Sequence, residues 1–135
     1  MAERDLDKLL TTLNVMTHEG VWAFHTQATC PEEPVAMTFR EREGWALIVP
    51  ADDKDSEDNR WAWLELTVVS DLNAVGFIAR IANALADAGI PCNAVAAFHH
   101  DHIFVPQHKA DAAVSAILEL RDQVAAPKCA LQGDA

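Results

Sequence analysis

The stretch WAWLELTVVSDLNAVGFIARIANALADAGI, residues 61–90, decides the fold. Its first nine residues alternate in character, and one set is entirely apolar: Ala62, Leu64, Leu66 and Val68. The intervening positions include Trp61 and Trp63. Because successive strand residues point to opposite sides of a sheet, this pattern predicts a strand over Trp61 to Val69 with both faces in contact with protein.

A helix is predicted directly after the loop SDLNAVG, residues 70–76. Apolar residues then recur at helical spacing, at Phe77, Ile78, Ile81, Leu85 and Ala88. Gly89 predicts the end of this helix. Backbone N–H groups at a helix N-terminus lack intrahelical partners and favour an anion such as a carboxylate. In the simpler interpretation, Ser70, Asp71 or Asn73 caps the helix and Gly76 eases packing.

Two further strands, Pro91 to Phe98 and His102 to Val105, and a last helix, Lys109 to Asp122, complete this half. The order strand, helix, strand, strand, helix predicts an α+β fold with a ferredoxin-like plan and both helices on one face. The last strand of the βαββαβ plan is either missing or supplied by another segment. Trp61 and Trp63 then lie on the face away from the helices, where the N-terminal half or a second subunit covers them.

The first half contains a short helix that Asp5 caps and three strands: Val21 to Gln27, Val35 to Arg40 and Trp45 to Val49. The last two strands flank EREG, residues 41–44, which is typical of a hairpin. An acidic segment, residues 52–59, follows as a linker or mobile surface loop. We therefore divide the chain into residues 1–58, residues 59–124 and a tail, residues 125–135.

Composition narrows the function classes. In 135 residues, 10 basic and 21 acidic side chains give a formal net charge of -11, which disfavours nucleic acid and anionic membrane surfaces as partners. The sequence shows neither a signal peptide nor an apolar run of membrane-spanning length, so we expect a cytoplasmic protein. Cys30, Cys92 and Cys129 form no CxxC pair and are expected to be reduced thiols, with Cys92 in the core.

The segment AFHHDHIFVP, residues 97–106, concentrates chemistry in a hairpin. A two-residue turn at His100 and Asp101 would make His99 and His102 cross-strand neighbours. His99, Asp101 and His102 would then begin a metal site, or a general acid–base site of a small enzyme. The alternative, a solvated hairpin tip, is favoured because successive turn residues do not all converge on one ion. The sequence contains no nucleophile or phosphate-binding motif, so we expect neither catalysis nor a cofactor.

The loop SDLNAVG, the helix end ADAGIP and the hairpin AFHHDHIFVP together resemble an ACT domain over residues 61 to about 120. The first half is similar to a degenerate ACT partner, and the pair resembles the bacterial relatives of the arginine sensors of the animal mTOR pathway. The resemblance implies two small ACT-like halves packed together with antiparallel sheets. It also implies a non-catalytic regulatory protein that holds an amino acid between its domains, commonly as a homodimer or larger assembly.

The resemblance further implies which residues bind the ligand. In such domains the loop before the first helix is the usual ligand site, and an aspartate in the hairpin contacts the charged groups of the ligand. Carried to this sequence, the ligand-binding residues are Ser70, Asp71, Leu72, Asn73, Ala74, Val75, Gly76, Ala97, Phe98, His99 and Asp101. An unidentified regulated protein would read the bound state. A third interpretation is an interaction module whose pocket no longer works.

Overall fold

The computed structural model describes residues 2–126. Its elements, in chain order, are α1 (Leu6–Thr11), β1 (Val15–Thr17), β2 (Trp22–Gln27), β3 (Met37–Glu41), β4 (Gly44–Pro50), β5 (Trp61–Leu66), α2 (Phe77–Asp87), β6 (Asn93–Ala96), β7 (Asp101–Pro106) and α3 (Ala110–Ala125). Short 3-10 turns occupy Glu57–Asn59 and Gln107–Lys109. Cys129 and most of the predicted tail lie outside the described residues.

Within residues 2–126 the strands form one seven-stranded antiparallel sheet in the order β3-β4-β2-β5-β7-β6, with β1 paired to β5. The second half follows the ferredoxin-like order, and β1 and β2 occupy the place of its missing last strand. The first half repeats this order as β3-β4-β2-β5, without helices between its strands. Strand β5 therefore serves both halves, and the predicted α+β fold is confirmed.

The helices all pack on one face of the sheet, where a single core joins both halves. Ala62, Leu64 and Leu66 of β5 point into this core, as the alternation predicts. Helix α1 contributes Leu9 and Leu10, which are buried in the same cluster as residues of α2 and α3. Arg121 Nη1 also donates to the carbonyl oxygen of Leu13, which fixes α3 against the end of the α1 segment. None of the helices within residues 2–126 is sufficiently long and apolar to cross a membrane.

The opposite face of the sheet carries an aromatic cluster. Trp61 and Trp63 lie there, as predicted, and meet the rings of β2 edge to face: Trp22 contacts Trp63 at 4.9 Å and Phe24 contacts Trp61 at 5.6 Å between centroids. Phe24 also meets Phe104 of β7 at 5.6 Å, across the intervening strand β5. Strands that flank a third strand are about 10 Å apart, so the rings converge over β5. The first half thus contacts both tryptophans from the neighbouring strand, and both indoles stay partly exposed on this face.

Several predicted boundaries need correction. The strand that begins at Trp61 ends at Leu66, because residues 67–69 leave the ladder to meet the N-terminal segment. The strand predicted over Pro91 to Phe98 is shorter, Asn93–Ala96, and β1 was not predicted. The acidic segment 52–59 is a surface loop that β2 holds in place: His25 Nε2 donates to Asp55 Oδ1 at 2.7 Å, and Asn59 bonds the backbone N–H and carbonyl of Phe24.

Candidate functional site

The loop over residues 70–76 leads into α2 with unusual backbone geometry. Gly76 is the N-cap residue in the left-handed conformation, with φ +92°, and no side chain within the described range caps the helix. The loop's polar groups are engaged elsewhere: Ser70 Oγ donates to Asp101 Oδ2 at 3.3 Å, and the Asn73 amide donates to Asp71 Oδ1 at 2.8 Å. The prediction of a simple side-chain cap is therefore wrong, and the first-turn N–H groups of α2 keep their anion-binding character.

The same loop meets the hairpin loop between β6 and β7 around two adjoining cavities. The larger, of about 400 Å³, falls within the usual size range of small-molecule sites. Its lining is Ala2, Val69, Ser70, Asp71, Leu72, Asn73, Phe98 and His99. The smaller, of about 140 Å³, is lined by Ser70, Asp71, Leu72, Ala74, Phe77, Ile78, Ala96, Ala97 and Asp101. We call the two together the loop cavity.

The loop cavity brings together nine of the eleven predicted ligand residues; Val75 and Gly76 are absent from its lining. Val75 is 84% exposed and lies outside the lining, whereas the exposed apolar side chains of Leu72 and Phe98 form part of the rim. Sequence reasoning missed Ala2, Val69, Phe77, Ile78 and Ala96. Ala2 lies some seventy positions from the loop and carries no motif, whereas Phe77 and Ile78 directly follow the predicted loop.

Asp101 is the half-buried carboxylate of the loop cavity. Burial raises its pKa above the ordinary aspartate value, and the hydrogen bond from Ser70 opposes that shift. Among residues 2–126 no lysine or arginine forms an ion pair with it. A carboxylate that is partly withdrawn from water and lacks a basic partner gains most from a cationic ligand group.

The N-terminal segment closes one side of the loop cavity. The Glu3 amide donates to the Val69 carbonyl at 2.9 Å, and the Asp71 amide donates to the Glu3 carbonyl at 2.8 Å. Arg4 Nε lies 3.2 Å from Asp71 Oδ2. The hydrogen bond from the Asn73 amide and the contact with Arg4 lower the pKa of Asp71. Asp71 is thus already paired, whereas Asp101 has no lysine or arginine partner among the described residues.

The histidine hairpin differs from the prediction. Residues 97–100 form a four-residue loop, in which the Ala97 amide donates to the His100 carbonyl at 3.1 Å, and β7 begins at Asp101. His102 consequently pairs with Val95 rather than His99. Asp101 and His102 are successive strand residues, so they point to opposite faces of the sheet. His99, Asp101 and His102 therefore do not converge, and the metal or acid–base site proposed on them is wrong.

Two family models, both described as ACT domain, match the chain over residues 1–59 and residues 59–119. The chain belongs to the ACT-domain family. The resemblance read from the loop, the helix end and the hairpin is thereby confirmed, and the pair occurs in tandem. The relation to the arginine sensors stays a prediction.

Solved structures support the same fold for this ACT-domain protein. A protein of unknown function from Vibrio cholerae shares 33% identity, with a TM-score of 0.72, 86% of this chain and 95% of that chain covered. A structure of aspartokinase α and β subunits aligns with 12% identity and a TM-score of 0.59, and the alignment covers 81% of this chain and 97% of that chain. A C-terminal domain of aspartate kinase from Porphyromonas gingivalis, described as regulatory, aligns with 17% identity, a TM-score of 0.51 and 78% and 94% coverage. No curated protein matches the sequence.

ACT domains are regulatory modules rather than catalytic ones, and the tandem ACT domains make this a regulatory protein. A third cavity of the ACT pair, of about 350 Å³, lies between α2 and α3. It contains none of the predicted residues, and its polar lining side chains, such as Arg80, Asn83 and Glu119, are solvent-exposed. The loop cavity, with its half-buried carboxylate and uncapped helix end, has the chemistry of a ligand site.

Proposed function

We propose that this ACT-domain protein is a non-catalytic sensor that binds a free amino acid in the loop cavity. The observation that carries the proposal is the convergence of the 70–76 loop and the hairpin loop around Asp101. A carboxylate and an uncapped helix N-terminus at one cavity offer a negative and a positive end. That pair of ends matches a zwitterion.

Each part of an α-amino acid has a counterpart in the loop cavity. Asp101 accepts hydrogen bonds from the ammonium group, with Ser70 supporting the carboxylate. The first-turn N–H groups of α2 and the loop amides take the ligand carboxylate. Phe98 and Leu72, which are 75% and 69% exposed, contact the ligand side chain or cover the cavity. A ligand that satisfies Asp101 in this way stabilises the folded state.

The N-terminal segment links ligand binding to the arrangement of the pair. Ala2 lines the cavity and Glu3 bonds the loop on either side of Ser70, so a ligand contacts both halves of the chain. A ligand shifts an equilibrium by its differential affinity for two states. Binding therefore fixes the segment against the loop, and a regulated partner reads this state. The exposed apolar rim of Leu72, Val75 and Phe98 supports a homodimer contact beside the cavity.

The test is calorimetric titration of the purified protein with each of the twenty amino acids, preceded by a thermal-shift screen. We expect one amino acid, or one chemical group of them, to bind and to raise the unfolding midpoint. Asp101→Ala is expected to weaken that binding at least tenfold, because the ligand cation loses its charged acceptor. Asp53→Ala is the matched control, since Asp53 is an exposed aspartate in the 51–60 loop, outside the cavity lining.

Binding that Asp101→Ala leaves unchanged would remove Asp101 from the site. Absence of binding by all twenty amino acids would refute the sensor proposal and favour an interaction module.

A further inference from the structure

A second group of ionisable side chains lies on the aromatic face of the sheet, away from the loop cavity. His18 follows β1, Glu65 belongs to β5 and His102 belongs to β7. One potential ligand atom from each lies within 4.8 Å of the others. His18 Nε2 is 2.9 Å from Glu65 Oε1, and His102 Nδ1 is 4.0 Å from the same oxygen. Among residues 2–126 this is the one group of its kind.

The donor set and spacing suit a transition-metal ion. Two imidazole nitrogens and a carboxylate oxygen are a common three-ligand set of zinc, with a water at the fourth position. Ligand atoms at about 2.0–2.1 Å from zinc in a tetrahedron are about 3.3 Å apart. The observed 2.9 and 4.0 Å lie on either side of this separation, so small side-chain rotations close the site.

Neighbouring groups hold the imidazoles in place. The His18 amide donates to the Trp63 carbonyl at 2.9 Å, and its ring stacks on the Trp63 indole with centroids 3.8 Å apart. The three side chains are mostly shielded, with 27%, 16% and 18% of the His18, Glu65 and His102 side chains exposed. Such second contacts orient metal ligands and limit the entropy lost on binding. His100 Nδ1, 3.7 Å from Glu65 Oε2, lies at the other oxygen of the carboxylate.

The hydrogen bonds define where the lone pairs are. Trp63 Nε1 donates to His102 Nδ1 at 2.9 Å, and since an indole only donates, His102 Nδ1 carries a lone pair that the indole N–H occupies. His18 Nε2 donates its proton to Glu65 Oε1. A metal ion between the same two atoms would bind the other neutral tautomer of His18, with the proton on Nδ1, and would displace the indole N–H from His102 Nδ1. Neutral imidazole supplies the same lone pair to metal that it offers to a hydrogen-bond donor.

We propose that His18, Glu65 and His102 form a zinc-binding site that ties the β1–β2 connection to β5 and β7. The site is spatially distinct from the amino-acid cavity, because it lies on the other face of the sheet. A zinc ion here would crosslink the first half to the second, and its stabilisation of the fold would grow with the logarithm of the free zinc concentration above the dissociation constant.

The test uses full-length protein with any affinity tag removed, titrated with zinc by calorimetry and by competition with a chelating dye. We expect one zinc per chain with micromolar or tighter affinity and a zinc-dependent rise in the unfolding midpoint. His18→Ala and Glu65→Gln should each lower the affinity at least tenfold. His99→Ala and Cys30→Ser are the matched controls, because His99 lies in the hairpin loop and Cys30 is an exposed free thiol. Both should bind zinc like the unmodified chain.

Trp63→Phe separates metal binding from a structural role of the same residues. It keeps all three ligands and removes the competing indole N–H, so its zinc affinity should equal or exceed that of the unmodified chain. Circular dichroism verifies that each variant is folded. If His18→Ala does not fold, the nearly isosteric Glu65→Gln tests the site in its place. Absence of zinc binding, or binding that both ligand variants retain, would overturn the site. Loss of zinc binding only in His99→Ala or Cys30→Ser would show that zinc binds at another place, and would equally overturn the proposed site.

Discussion

Gly76→Ala should destabilise the protein and also weaken ligand binding, and Gly89→Ala should do only the first. Gly76 has φ +92° before α2, and Gly89 has φ +72° just after it. A Cβ at Gly76 would make an ordinary contact with Leu6 Cδ2 at 3.5 Å, and one at Gly89 would meet nothing within 4 Å. Neither substitution creates a clash, so the effect on stability comes from backbone conformation.

The magnitude follows from that conformation. Placing an L side chain in the left-handed region costs about 1–2 kcal/mol. Replacing glycine also reduces the freedom of the unfolded chain, which offsets about 0.4–1 kcal/mol. The net loss in the free energy of unfolding is therefore about 1 kcal/mol for each variant. For a chain of this length that corresponds to a drop of about 3–5 °C in the unfolding midpoint.

Urea denaturation and thermal unfolding measure the first effect, and calorimetric titration with the amino acid found in the screen measures the second. Strain at Gly76 moves the loop amides and the first turn of α2, whereas strain at Gly89 lies at the opposite helix end. An unchanged midpoint for Gly76→Ala would refute the left-handed geometry of the loop. An equal loss of binding in both variants would show that binding responds to global stability, and would refute the role given to the loop.

Two further predictions concern Asp101 and the β3–β4 hairpin. The folded state raises the pKa of Asp101, so stability falls as pH rises from the unfolded-state pKa to the folded-state pKa of this carboxyl group. Asp101→Asn should therefore stabilise the protein at pH 7. In denaturation curves below about pH 3.9, the ordinary aspartate pKa, the difference from the unmodified chain should vanish. A variant less stable at pH 7 would contradict this sign. Gly44→Ala should cost more than Gly89→Ala, about 2 kcal/mol or more in urea denaturation, because its φ is +143° and its Cβ would approach the Gln27 carbonyl oxygen at 2.7 Å. Equal losses would show that the hairpin relaxes around the new methyl group.

Local patterns predicted the second half well, and the reason is visible in β5 and α2. The alternation of Ala62, Leu64 and Leu66 and the spacing of Phe77, Ile81 and Leu85 report burial of each side chain, and all six are buried. Periodicity therefore fixed both elements and the side of the sheet that each face meets. The loop residues between them were also identified, because a polar run between two periodic segments is a local signal.

Contacts between distant segments left no such signal. β1 is three residues long, too short to show a period, although it pairs with β5 in the sheet. His18 lies 47 positions from Glu65, and nothing in the residues around either marks them as neighbours. The predicted register of the histidine hairpin was wrong for a different reason. Its consecutive polar residues show no alternation, so the register rested on an assumed two-residue turn. In the observed register Asp101 pairs with Ala96 and His102 with Val95, across a four-residue loop.

The sharing of β5 makes a last prediction about how the tandem ACT domains fold. The family matches meet at residue 59, which lies just before β5, yet that strand completes the sheet of both halves. Leu9, Leu10 and Leu13 of the first half are buried in the core formed with α2 and α3. Burying three leucines contributes about 5–9 kcal/mol, which is comparable with the whole stability of a small domain.

Fragments 1–58 and 59–135, prepared separately, should therefore lack cooperative unfolding in circular dichroism, because each loses the strands and core residues of the other. An equimolar mixture should recover a cooperative transition at a midpoint that rises with concentration, as mass action requires. The intact chain at the same concentrations is the control, and its transition should be cooperative at every concentration. A fragment 59–135 that unfolds cooperatively at the midpoint of the intact chain would show that the second ACT domain is an independent folding unit. Strand β5 would then belong to it alone.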